Sequence, residues 1–120
     1  MYGVTADLDI RHFHGAMLER IDLGIHIIHF RFGADPPGII SVEGDWELLG
    51  RDGSVIDRQE EPSARDAFRI HVLVGREVVS SQVSAPEWFE LRFDSGHRLR
   101  VYDRSPVYES FSIEPGGVIV

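Results

Sequence analysis

The sequence predicts a β-dominated α+β fold, with two internally duplicated β-meander units packed as a sandwich or half-barrel and one or two short helices. Three observations carry that expectation. Apolar and polar residues alternate with a period of two, most clearly in residues 88–120. Turn signals such as Pro36-Pro37-Gly38, Asp52-Gly53, Asp94-Ser95-Gly96 and Pro115-Gly116-Gly117 punctuate the alternation. The two halves of the chain also carry these signals in the same order.

Size and composition bound the reading. The 120 residues fit a single domain, 1–120, long enough to bury about two-thirds of the unfolded chain's surface. There is no cysteine, so disulfides and thiolate chemistry are excluded and a reduced, cytoplasmic setting is compatible. The N-terminus lacks an apolar h-region, and no window approaches the roughly 20 apolar residues of a membrane-spanning helix, so a soluble, unexported protein is expected. Twelve basic residues, all arginine, face 20 acidic ones for a net charge of −8. That balance opposes phosphate backbones and anionic membranes, so nucleic acid and membrane are not expected partners.

In chain order, residues 5–14 read as a short helix with Thr5 as N-cap and Gly15 as its stop, or alternatively as a strand. Strands follow at residues 17–23, 25–32, 39–43 and 46–49, and Ser54-Val55-Ile56 closes repeat unit 1, about 5–56. The polar stretch 57–62 is a loop. Repeat unit 2, about 63–120, opens on Ser63-Ala64-Arg65-Asp66 with capping-box spacing. Phe68 and Val72 lie one turn apart, and Gly75 is the stop. Phe89, Leu91 and Phe93 then alternate with Glu90 and Arg92, and Leu99 and Val101 with Arg98 and Arg100. Joined through Asp94-Ser95-Gly96, these strands form a hairpin whose register places Glu90 opposite Arg100 on the wet face.

Laying Gly15 on Gly75 aligns the halves. Met17-Leu18 falls on Glu77-Val78, Phe30-Arg31-Phe32 on Leu91-Arg92-Phe93 after a one-residue offset, and Ile40-Ser41-Val42 on Leu99-Arg100-Val101. Trp46-Glu47 then matches Tyr108-Glu109, an aromatic followed by a carboxylate at corresponding places. Two meander units of this kind solve each other's burial problem by stacking their apolar faces into a sandwich or half-barrel.

The run Leu91-x-Phe93-x-x-Gly96-x-x-Leu99-x-Val101-x-Asp103-x-Ser105-x-x-Tyr108-Glu109-Ser110-Phe111-x-Ile113, with Leu73-x-Gly75 and Ile39-x-x-Val42-Glu43 before it, resembles a group of small bacterial domains of unknown function. These end in a Tyr-Glu-Ser/Ala-aromatic strand. The resemblance implies a small, mostly β, cytoplasmic bacterial protein with a partner or immunity role beside toxins, and it implies no activity.

Candidate chemistry is sparse. His12-Phe13-His14 followed by Glu19 reproduces the His-x-His-x4-Glu opening of the cupin metal motif, but no glycine stands six residues before His12, the glycine after Glu19 comes early, and the downstream Pro-x-Gly-x-x-His element is missing. Metal binding at His12, His14 and Glu19 is therefore the weaker alternative, and no cofactor is expected. No nucleophile, base and orienting residue can be assembled from spacing, and no phosphate loop is present. The candidate binding residues are Trp46, Glu47, Tyr108, Glu109, Asp103 and Arg104; each glutamate either caps turn amides or pairs with an arginine such as Arg104 or Arg51, and in the functional reading the two aromatic–Glu sites flank a shared groove. The reading is a non-enzymatic protein-binding module with an acidic surface, an immunity-type inhibitor of a basic toxin. The alternative is a cupin-like barrel enzyme for a small molecule or metal-dependent reaction. The apolar edge at residues 118–120 needs a cover, for which a homodimer is the simplest source.

Overall fold

The computed structural model describes residues 3–60, 65, 67–104, 110–115 and 118–119. Among these residues ten strands run in order: β1 (Met17–Leu23), β2 (Ile28–Gly33), β3 (Gly38–Val42), β4 (Trp46–Leu49), β5 (Val55–Arg58), β6 (Val78–Ser84), β7 (Trp88–Phe93), β8 (Arg98–Tyr102), β9 (Phe111–Glu114) and β10 (Val118–Ile119). They build two five-stranded antiparallel sheets, ordered β1-β2-β3-β9-β10 and β5-β4-β8-β7-β6. Each sheet takes three consecutive strands from one half of the chain and two from the other. Exchanging β1 with β6, β2 with β7, β3 with β8, β4 with β9 and β5 with β10 converts one order into the other.

Period-two patterning decides which face is buried. Ile28, Phe30 and Phe32 of β2 and Ile40 and Val42 of β3 point inward, as do Phe89, Leu91 and Phe93 of β7 and Leu99 and Val101 of β8. These residues join Trp46, Leu48, Phe111 and Ile113 in one hydrophobic core drawn from both sheets. Phe13 meets Phe32 edge-on at 4.9 Å between ring centroids, and Phe89 meets Phe111 at 5.0 Å, a geometry favoured by the ring quadrupoles.

The hairpin between β7 and β8 forms as its sequence requires. Gly96 takes φ +87° and donates its N–H to Phe93 O at 2.9 Å, and the register sets Glu90 opposite Arg100. The face is less wet than alternation alone implies, because Glu90 is only 3% exposed.

Residues 5–14 are neither the expected helix nor a strand. A single 3-10 turn occupies Arg11–Phe13, and another occupies Ile70–Leu73 in the second half. The reason is tertiary. Val4 N–H is bonded to Pro86 O at 2.8 Å, and Gly15 N–H to Val78 O at 2.8 Å, so the segment between them must run alongside β6. That span is roughly 20 Å along the strand and the turn beyond it, farther than the roughly 16 Å an α-helix of the same length would reach. Of the expected capping box at residues 63–66, only Arg65 is among the described residues.

Gly15 and Gly75 end the two 3-10 segments with φ of +82° and +88°. Their N–H groups cross to the opposite half, Gly15 to Val78 O and Gly75 to Leu18 O, both at 2.8 Å. A Cβ at either site would meet nothing within 4 Å, so the demand for glycine is one of backbone conformation alone. Gly15→Ala and Gly75→Ala should each lower stability in urea unfolding by about 1–2 kcal/mol. A loss below a few tenths at either site would show that the left-handed conformation is not required there.

Candidate functional site

Strand β4 divides the expected site. Trp46 and Glu47 are neighbours in an extended strand and point to opposite faces, Trp46 into the core and Glu47 to the outer face of its sheet. Tyr108 and Glu109 lie outside the described residues. The ladder pairs Phe111 with Val42 as it pairs Trp46 with Val101, so Phe111 holds the position corresponding to Trp46.

Trp46 is 2% exposed, and its indole Nε1 has no hydrogen-bond partner among the described residues. Beside it opens a cleft of about 340 Å³ whose walls come from the β1–β2 turn (Leu23, Ile25) and the chain beyond β5 (Gln59, Glu60, Arg65, Phe68). Gly24 N–H closes the turn on Ile27 O at 2.8 Å, which holds Ile25 out at the tip, 72% exposed. Leu23 and Phe68 are exposed beside it. Sequence reasoning placed Ile25 inside a strand and missed this surface. The available signal was a turn region reading Leu23-Gly24-Ile25-His26-Ile27, too apolar for a solvated loop.

Asp57 holds the far wall in place. One carboxylate oxygen accepts Arg58 N–H at 2.8 Å and Arg65 Nη1 at 3.0 Å, and the other accepts Arg69 N–H at 2.7 Å and Ile70 N–H at 2.9 Å. Arg65 also donates to Ala67 O at 3.0 Å and to Arg58 O, and its guanidinium lies 3.9 Å over the Phe68 ring and 5.8 Å from Trp46. Burial pushes the Asp57 carboxyl up, but the N–H of Arg69, the Arg65 guanidinium and the remaining N–H donors outweigh it and hold the carboxyl below the usual carboxylate range.

On the outer face of the second sheet, direct cross-strand neighbours form the row Arg58, Glu47, Arg100, Glu90, Gln82. Arg100 reaches Glu90 at 3.3 Å and lies 3.9 Å over Trp88, and Arg98 approaches Glu90 at 3.9 Å. Glu47 does not pair with Arg104 or Arg51 as expected from sequence. It accepts the Tyr102 hydroxyl at 2.5 Å, while Arg104 stacks 3.7 Å over Tyr102 and reaches Asp45 at 3.6 Å, and Arg51 donates to Ser95 O at 2.6 Å. Burial, then the Glu47 carboxylate, push the Tyr102 hydroxyl up. Asp103 is buried and accepts Ser110 Oγ at 2.7 Å and Gly3 N–H, so its work is to tie chain segments together.

The cupin-like residues do not converge. His12 Nε2 meets Pro36 O at 2.9 Å, His14 Nε2 meets Ser81 Oγ at 2.6 Å, and Glu19 lies against Gly33. Among the described residues no three His, Asp or Glu side chains are grouped to hold a metal ion. Serine–histidine contacts invisible in the spacing also occur, at Ser81–His14, Ser95–His97 and Ser41–His29, and the last adds an acid in the same cross-strand row. Asp22, His29 and Ser41 are cross-strand neighbours, with His29 Nδ1 2.7 Å from Ser41 Oγ. Asp22, however, is held by Arg20 at 2.5 Å and Arg31 at 2.6 Å, and the cavity beside Ser41 is about 20 Å³, too small for a substrate.

No family model, curated protein or solved structure matches the chain.

Asp57 gives the site a pH signature. Its folded pKa lies below the unfolded value of about 3.9. Its stabilisation is therefore complete above that value and is lost as pH falls through the folded one. Asp57→Asn should cost about 2–4 kcal/mol at pH 7 and flatten the loss of stability below about pH 4. Urea titrations from pH 7 to pH 2 check both, and parallel acid limbs for the two proteins would remove Asp57 as the source.

Proposed function

We propose that the protein is a non-enzymatic, duplicated two-sheet sandwich that binds another protein, with an acidic surface suited to a basic partner such as a cationic toxin. The observation that carries this reading is the exposed apolar surface of Leu23, Ile25 and Phe68 around the cleft over Trp46. A large hydrophobic at 72% exposure on a turn tip has no folding role, whereas a partner that covers it gains the burial. The interchange of equivalent strands between the sheets supports the duplication. The reciprocal bonds of Gly15 and Gly75 support it as well. Among the described arginines, several are matched by carboxylates within 4.0 Å, and the excess of acids is left to set the long-range field of a chain with net charge −8. Self-association through β10, an edge of its sheet, belongs to the same reading.

Affinity capture at low and high salt tests it. Wild type should retain a basic protein at low salt and release it at high salt. Ile25→Ser should fail to retain it while melting at the same temperature as wild type. An acidic partner, or capture indifferent to both salt and Ile25→Ser, would overturn the reading. Light scattering that gives a monomer at high micromolar concentration would remove self-association and leave the rest.

A further inference from the structure

The cleft over Trp46 is specific enough to define what enters it, and the inference that follows rests on the protein-binding reading. We propose that the cleft is the anchor pocket for one large apolar side chain presented by an extended, basic segment of a partner protein.

Five features favour such an occupant over a free small molecule. The volume of about 340 Å³ sits at the small end of the range for ligand cavities, roughly 300–1,000 Å³. It accepts one leucine- or phenylalanine-sized side chain with part of its backbone. The apolar surface extends past the cavity, however. Ile25 projects from the turn, so a ligand confined to the cleft would leave it in water, whereas a chain seated across the rim covers both.

The charge of the lining selects the flanks. Among the described lining residues the charged ones are Glu60 and Arg65, and Arg65 is already matched by Asp57 at 3.0 Å. Glu60 is left to face the occupant, on a chain of net charge −8. An anionic amphiphile is disfavoured at such a rim, and arginine or lysine beside the anchor is favoured. The lining chemistry is also that of a protein hot spot, with Trp46, Arg65 and Phe68 stacked at the centre and smaller apolar residues around them. Finally, Trp46 Nε1 is a buried donor without a partner among the described residues. A peptide carbonyl accompanying the anchor supplies the acceptor it lacks, with no buried negative charge introduced.

The test follows the Trp46 indole N–H resonance of the whole protein during titration with four probes. These are the capped pentapeptide Arg-Ser-Leu-Ser-Arg, the same peptide with serine at its centre, the same peptide with glutamate for both arginines, and sodium octanoate. The leucine peptide with arginine flanks should move the resonance saturably, and the other three should bind at least about fivefold more weakly. Ile25→Ser should weaken the leucine peptide by a similar factor. Val79→Ser, a change at an exposed valine outside the cleft lining, should leave it unchanged. Four results would overturn the proposal: silence of Trp46 towards all probes at millimolar concentration, an equal response to the glutamate-flanked peptide, octanoate acting as strongly as the leucine peptide, or full binding by Ile25→Ser. A basic partner captured by wild type with Trp46 silent would end this inference and leave the protein-binding reading standing. A responsive cleft with no captured basic protein would do the reverse.

Discussion

The two sheets are joined where β1 meets the start of β6. Leu18 N–H bonds to Arg76 O and Val78 N–H to Ala16 O, each at 2.9 Å, alongside the bonds from Gly15 and Gly75 already described. Met17 bridges Glu77 at the centre of this exchange. Every one of these donors and acceptors has its counterpart 60 residues away, so the junction is the same contact made twice. It fixes two things together. The opening residues of β1 and β6, which would otherwise present unpaired backbone at sheet edges, satisfy each other. The segments that precede them are also committed to the far half, and this is why residues 4–15 lie beside β6 and why a helix could not form there.

That junction marks the border of what local sequence could reveal. Alternation identified the inward faces of β2, β7 and β8, and the Asp94-Ser95-Gly96 turn fixed the register of Glu90 against Arg100, because both signals are contained in a dozen residues. Thr5, Leu8, Ile10, Phe13 and Gly15 have helical spacing and a helical stop, yet only Arg11–Phe13 is helical, as a single 3-10 turn, since backbone bonds to Val78 and Pro86 outweigh a marginal local preference. The candidate site fared likewise. Trp46, Glu47, Asp103 and Arg104 were all identified from sequence. Strand parity then sends Trp46 inward and Glu47 outward, and Asp103 is consumed in tying Gly3 and Ser110 to the end of β8. The cleft itself combines the tip of one hairpin with chain some 40 residues later, and no spacing rule links Ile25 to Phe68.

Electrostatics in this protein serve architecture first. Asp57 is the clearest case, because four donors converge on one carboxylate and bring the chain after β5 onto the sheet. Glu90 is a second case, nearly buried between Arg98 and Arg100 and shielded by the Arg100–Trp88 stack. Arginine suits these tasks better than lysine would. Its planar group covers Phe68, Trp88 or Tyr102 while its edge still donates to a carboxylate, so one side chain provides both packing and charge compensation.

A catalytic group must hold an unspent proton or lone pair beside a space for substrate. Ser41 and His29 have each other but no space, Asp22 is held by two arginines, and Glu47 and Tyr102 satisfy one another on a sheet face. Around the cleft the situation is reversed. There is space, an indole donor without an acceptor among the described residues, and apolar surface left in water at the tip of the β1–β2 turn. Around the cleft the free energy still to be gained is that of apolar burial, and that is the physical ground on which the proposed protein-binding role rests.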